Sequence, residues 1–250
     1  MPSIVDRFPK HRDDLPEAYK RIYERHYLLN REGKYQSTSL SRKLEAWMHR
    51  KVAADVRDGS DAATLEIGAG TLNQLPYEPS VTRYDIVEPF RALFEGSDAL
   101  KRVRHQYADV SEAYASAPYE RITSVAVFEH ITDLPVVVAH AALLLRDGGH
   151  LRVAIPNEGT VMWRLGTMVT GREFRKIYGL DYQVLMKYEH VNTADDIEAV
   201  LKAFFASTDR SVFGITKWWG FYRFYDCTGA NKAAARLFLQ RRGLRTEEVP

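Results

Sequence analysis

The chain is poor in cysteine. Cys227 is the only one in 250 residues, so no disulfide framework holds the fold, and a reducing, cytoplasmic setting is expected. A long apolar run is also missing. The longest, Leu134 to Leu145, is about twelve residues, and His140 interrupts it; a bilayer needs ~20, so no transmembrane segment is expected. The opening MPSIVDRFPKHRDD is charged, contains proline and has no apolar h-region, so no secretory signal is expected. Nor does one sign of charge dominate. Lys and Arg number 35 against 33 Asp and Glu, and no long basic block marks a nucleic-acid partner. Internal repeats and low-complexity segments are absent.

Apolar residues make up 45% of the chain and charged residues 27%, as in a globular domain large enough to carry an added lobe. Four regions differ in texture. Residues 1–60 are polar and helix-rich, with Tyr19, Tyr23 and Tyr27 spaced to share one helical face and pack it onto the main domain. Residues 61–157 alternate short β-branched runs with helical stretches, the pattern of a parallel sheet covered on both faces. Strands are expected over Ala63–Ile67, Arg83–Glu88, Val103–Tyr107, Ile122–Val127 and His150–Ile155, with a helix over Leu134–Leu145 stopped by Arg146-Asp147-Gly148-Gly149. Residues 158–192 hold no clear strand and read as a lid inserted over the sheet. In 193–250, Thr193 is placed to cap a helix, Ser211–Gly214 and Phe221–Tyr225 supply two last strands, and a final helix spans Asn231–Arg242. In such sheets ligands sit beyond the carboxyl ends of the strands, where the strand order reverses.

The first strand runs into a glycine turn, Glu66-Ile67-Gly68-Ala69-Gly70-Thr71-Leu72-Asn73, which a helix is expected to follow. Gly68 and Gly70 let backbone approach a nucleotide. A dinucleotide fingerprint would place a third glycine at Asn73. Glu66 is the more telling residue, since a carboxylate there repels a diphosphate and attracts a cation. S-adenosylmethionine (SAM), with a sulfonium, an ammonium and no phosphate, fits that charge.

LEIGAGT resembles the first motif of the class I SAM-dependent methyltransferases. IVEPF, YADV, VFEHITDLP and LLLRDGGHLRVAIPN follow in the family's order, so that the resemblance covers roughly residues 62–157. It implies a Rossmann-like, seven-stranded, mostly parallel sheet with helices on both faces, a helical N-terminal segment and a lid. It also implies a cofactor site at Glu66, Gly68 and Gly70, with Glu88 on the ribose hydroxyls and Asp109 and the Val110 backbone at the adenine. Phe128 and Glu129 fall in the segment that closes over the cofactor. The family often has a third glycine where Leu72 stands. Phe128-Glu129-His130 replaces the motif of DNA amino-methyltransferases, so a DNA acceptor is not expected. Some quinone-type relatives hold a metal through a glutamate three residues before a Glu-His pair; here that residue is Ala126, and no metal is expected.

Methyl transfer from sulfonium is an in-line displacement that depends on alignment, and a base is needed only if the acceptor must lose a proton. His130 and His190 are the candidates for base or acceptor contact. The alternatives are that His130 props the pocket and that His190 is an ordinary polar residue before a helix. Trp163, Arg164, Arg172, Arg175 and Tyr178 on the lid suit a sugar ring or an anionic group, or simply pack the lid. The aromatic run Trp218 to Tyr225 is expected to bury one set of its rings in a strand. A small-molecule or glycan acceptor with a reacting hydroxyl is the expectation. NREGKY…LSRKLEAWMHRKVA and IPNEG…YEHVNTADDIEAVL add a vaguer resemblance to bacterial polysaccharide-associated methyltransferases. A protein or RNA acceptor, a SAM-binding partner without catalysis and a homodimer all stay open at this level.

Overall fold

A computed structural model describes residues 3–22, 39–56, 60–78, 82–244 and 246 of the chain. One sheet of seven strands organises them: β1 (Thr64–Ile67), β2 (Tyr84–Val87), β3 (Gln106–Tyr107), β4 (Tyr119–Val125), β5 (Leu145–Pro156), β6 (Phe205–Gly214) and β7 (Gly220–Ala230). The spatial order is β3-β2-β1-β4-β5-β7-β6. The first five are parallel, β7 runs antiparallel to β5 and β6 antiparallel to β7. Helices accompany the sheet, among them α1 (Ser39–Ala53), α2 (Leu134–Leu144), α3 (Val161–Tyr178), α4 (Tyr182–Glu189), α5 (Ala194–Phe204) and α6 (Lys232–Arg241). The expected fold class stands. Among the described residues no helix is long and apolar enough to cross a membrane.

Strand alternation assigns the two faces. On β5, Leu151, Val153 and Ile155 join the large core with α2, α5 and α6, whereas Ala154 turns to the other side and meets Met48 and Val52 of α1. The helix α2 is apolar around its whole circumference, as befits a helix sandwiched between the sheet and two further helices. Its one interruption, His140, is buried against the Tyr114 hydroxyl at 3.0 Å, and burial lowers its pKa. On the opposite face two buried arginines hold α1 in place. Arg121 and Arg152 donate to the Val52 carbonyl at 3.0 and 2.9 Å, and Arg152 also reaches the Lys51 carbonyl at 2.8 Å. These carbonyls belong to the last turn of α1, where a helix leaves acceptors unsatisfied.

Four expectations shift. No α-helix follows the glycine turn; turns lead instead to a short 3-10 helix, Leu75–Tyr77, because Pro76 cannot continue an α-helix and Gln74 binds the His49 carbonyl and Glu78. The strand expected from Val103 is only two residues long, since the Val103 N–H closes the preceding 3-10 turn. The last two strands, in contrast, are long. The run at Trp218 divides between the turn and β7: Tyr225 and Phe224 are buried in the strand, while Trp218 and Trp219 stand exposed just before it. Tyr19 is buried as expected but packs with Phe174 and Leu185 of the lid rather than with the sheet; Tyr23 and Tyr27 lie outside the described residues.

Candidate functional site

The carboxyl ends of β1, β2, β3 and β4 open onto a cavity of about 680 Å³, a size suited to a nucleoside cofactor. Gly68, Glu88, Asp109, Val110 and His130 line it, together with Pro89, Phe90 and Leu93 as an apolar wall. Gly68 has a φ of +75°, and a Cβ there would overlap the Val127 side chain, so the turn demands glycine twice over. Gly70 N–H donates to Glu88 Oε2 at 2.8 Å and Phe90 N–H to Glu88 Oε1 at 3.0 Å. Those bonds fix the carboxylate and leave one lone pair on each oxygen for a pair of hydroxyls. Asp109 caps the following 3-10 helix through Oδ1 alone, accepting from Ser111 N–H at 2.9 Å and from its hydroxyl at 2.5 Å. Its Oδ2 is thereby left to accept from an amine.

Glu66 behaves differently from its expectation. Its carboxyl is buried beneath the turn, accepts from the Tyr84 hydroxyl at 2.9 Å, and burial pushes its pKa up to about 8. The carboxylates that line the cavity are Glu88, Asp109 and Glu189, against one guanidinium in the lining, Arg12. That balance suits a cationic nucleoside and opposes a diphosphate. Phe128, expected beside the cofactor, points into the main core.

The acceptor side is built by two segments joined at the cavity wall. Strand β4 ends at Val125, and Ala126 takes a left-handed φ of +53°, which swings the chain into the Phe128–His130 turn. The segment after α4 is stitched to this turn. Val191 and Asn192 N–H donate to the Glu129 carbonyl at 2.9 and 3.1 Å, and the buried Asn192 amide donates to the Phe128 and Ile131 carbonyls at 2.7 Å each. The His130 and His190 rings therefore meet edge to face with centroids 4.8 Å apart. His130 Nδ1 donates to the Glu189 carbonyl at 3.0 Å, and His190 Nδ1 to Glu158 at 2.6 Å. Burial lowers the His190 pKa, but the Glu158 carboxylate outweighs it and the net shift is upward, with Glu129 and Glu189 adding to it.

Glu158 stands immediately beyond β5, between anchored neighbours. Asn157 N–H donates to the Phe221 carbonyl at 2.8 Å, its side chain is held by Gly220, Lys217 and Arg223, and Thr160 caps α3. Of the lid residues, Trp163 stacks on His190 with centroids 5.5 Å apart. Arg172 and Arg175 are exposed, about 14 and 18 Å further along the α3 axis. Tyr178 packs against Phe174. These three are therefore placed away from the histidine pair, and the Arg164 side chain lies outside the described ones.

Two residues with no sequence expectation complete the site. Arg12 lines the cavity, donates to the His130 carbonyl at 2.7 Å and keeps a buried Nε without a hydrogen-bond partner. Lys10 binds the Val191 carbonyl at 2.9 Å and Asp196 at 2.7 Å. Nothing in their local sequence marks them. Glu158 did carry a signal, as the second residue after a strand end.

A family described as a methyltransferase domain matches residues 33–204. No curated protein matches. Among solved structures, the chain is similar to a SAM-dependent methyltransferase from Thermotoga maritima, described as a possible histamine N-methyltransferase, at 14% identity over 85% of this chain and 99% of that one, with a TM-score of 0.53. It is also similar to the N-methyltransferase NodS of Bradyrhizobium japonicum WM9 in complex with S-adenosyl-L-homocysteine, at 14% identity over 86% and 100% of the two chains, with a TM-score of 0.55. A third, the CurJ carbon methyltransferase, shares 18% identity over 86% of this chain and 62% of its own, with a TM-score of 0.53. Identities this low speak for the fold alone.

Proposed function

The chain belongs to the methyltransferase-domain family and is a SAM-dependent methyltransferase, and on that premise we propose that it methylates a hydroxyl of a small-molecule or glycan acceptor. The observation that carries this reading is the histidine pair at the cavity wall, with both Nδ1 atoms tied to oxygen acceptors. Each ring is thereby held in the tautomer that presents a basic Nε2. An amine acceptor needs only to be neutral, whereas a hydroxyl must lose its proton as the new bond forms. Two oriented imidazoles suit the second task.

SAM supplies a methyl group on an already activated sulfonium. Glu88 accepts from the ribose hydroxyls with the lone pairs its two backbone bonds leave, and Asp109 Oδ2 accepts from the adenine amine. Arg12, the cation in the cavity lining, takes the methionine carboxylate. Trp163 stacks on His190 and shields the acceptor side from water. Nucleotide sugars, glycans and phenols incubated with methyl-labelled SAM test the reading. Label in an ether of one of these classes is expected. Label only in amines, proteins or RNA would overturn it.

A further inference from the structure

We propose that Glu129, His130 and His190 form a binding site for one divalent transition-metal ion, which holds the acceptor hydroxyl oxygen. One ligand atom from each residue lies within 4.8 Å of the other two, and His130 Nε2 is 3.8 Å from Glu129 Oε1. An ion with bonds of ~2.1 Å needs its donors about 3 to 3.4 Å apart, which small side-chain rotations supply. Glu129 is 2% exposed, so its carboxyl faces the two imidazoles inside the fold rather than solvent.

The surroundings carry the inference further. Metal-bound histidines almost always donate their other ring nitrogen to a carbonyl or a carboxylate, which sets the tautomer and raises ligand basicity. Both histidines do so here, His130 to the Glu189 carbonyl and His190 to the Glu158 carboxylate. The sequence expectation of no metal rested on Ala126. In the folded chain the third ligand comes instead from the far end of the lid, sixty residues beyond His130. Two imidazoles and one carboxylate suit a first-row divalent ion and leave coordination positions open. His130 lines the cofactor cavity, so those positions lie next to the expected methyl donor.

The chemistry balances without a redox change. The hydroxyl oxygen binds the ion, its acidity rises, and its proton passes to solvent water. The oxygen then forms a bond to the methyl carbon, the carbon–sulfur bond breaks, and the electron pair remains on sulfur as a neutral thioether. One proton is released per turnover. With the ion bound the imidazoles serve as ligands, and the acidity that the ion confers on the hydroxyl replaces the proton acceptance that the free rings would offer. This deepens the hydroxyl reading above and rests on it for the chemistry, although not for the binding.

The test uses untagged full-length protein, stripped with EDTA and titrated with Co2+ in the absence of SAM and acceptor. One equivalent is expected to bind, with visible d–d absorption and two exchangeable, paramagnetically shifted imidazole N–H resonances in the wild-type chain. His190→Ala and Glu129→Gln are expected to weaken binding by about tenfold or more. Absence of stoichiometric binding, or N–H resonances from fewer than two histidines, would overturn the site whether or not the variants fold. Full methyl transfer by metal-free enzyme would overturn the role assigned to the ion. Stoichiometric binding by a chain that methylates no hydroxyl would leave the site standing and sink the acceptor reading instead.

Discussion

His190 is held between opposing influences: burial favours its neutral form, while Glu158, Glu129 and Glu189 favour the cation, and the cation gains. Only the neutral ring can accept a proton or bind a metal. The acid limb of kcat/KM should therefore lie above pH 6.5, the ordinary histidine value, with activity lost as pH falls through the raised pKa. Glu158→Gln removes the largest of the charges that favour the cation. It should shift that limb to lower pH, and a limb that does not move would assign the titration to another group. Leu72 presents a contest of a different kind. Its φ of +65° is the conformation that favours the family's usual glycine, and a side chain in it costs about 1 kcal/mol. Yet the same side chain is 1% exposed in a cluster with Leu75, Tyr84 and Phe94, and emptying such a site costs roughly 2 to 5 kcal/mol. Packing wins by these magnitudes, so Leu72→Gly should lower stability by about 1 to 4 kcal/mol in denaturant unfolding. A more stable variant would mean that backbone strain dominates.

At the scale of elements, α1 is fixed to the sheet by arginine bonds to its last carbonyls and by apolar contact, with acids beyond its end pairing the same arginines. Arg121 joins Asp55 and Glu78, each at 2.9 Å, and is itself 4% exposed. Arg121→Ala leaves the buried Glu78 carboxylate without its cation, while Gln74 still donates to it and Arg152 still holds the Val52 carbonyl, so a loss of about 3 kcal/mol is expected. Thermal unfolding checks it, and a change below about 1 kcal/mol would show the network to be dispensable. Much of this level was legible beforehand. The alternation from β1 to β5, the cap at Thr193 and the last helix follow from local pattern, and local pattern is all a single sequence displays. The lost helix after the glycine turn was legible too, had Pro76 been weighed against the motif. The association of α1 with Arg121 and Arg152 was not, since it joins residues 69 and 100 positions apart.

Over the whole molecule, the site is assembled from both ends of the chain. That Glu88, Asp109 and Val110 share one cavity was foreseeable, because these residues follow strand ends in order. Arg12 was not foreseeable, because its bond to His130 spans 118 positions. Arg12→Ala should raise the Kd for SAM by about tenfold, with a smaller effect on S-adenosyl nucleosides that lack the carboxylate, as calorimetry would reveal. Equal losses for both ligands would place Arg12 away from the carboxylate. Asn192 has a wider consequence. Its single amide clasps two carbonyls of the β4 turn, and the histidines lie on opposite sides of that clasp. Any displacement of the 158–192 segment from the β4 turn would break that clasp and part the two rings in one movement, so the pair exists only while the two segments stay docked.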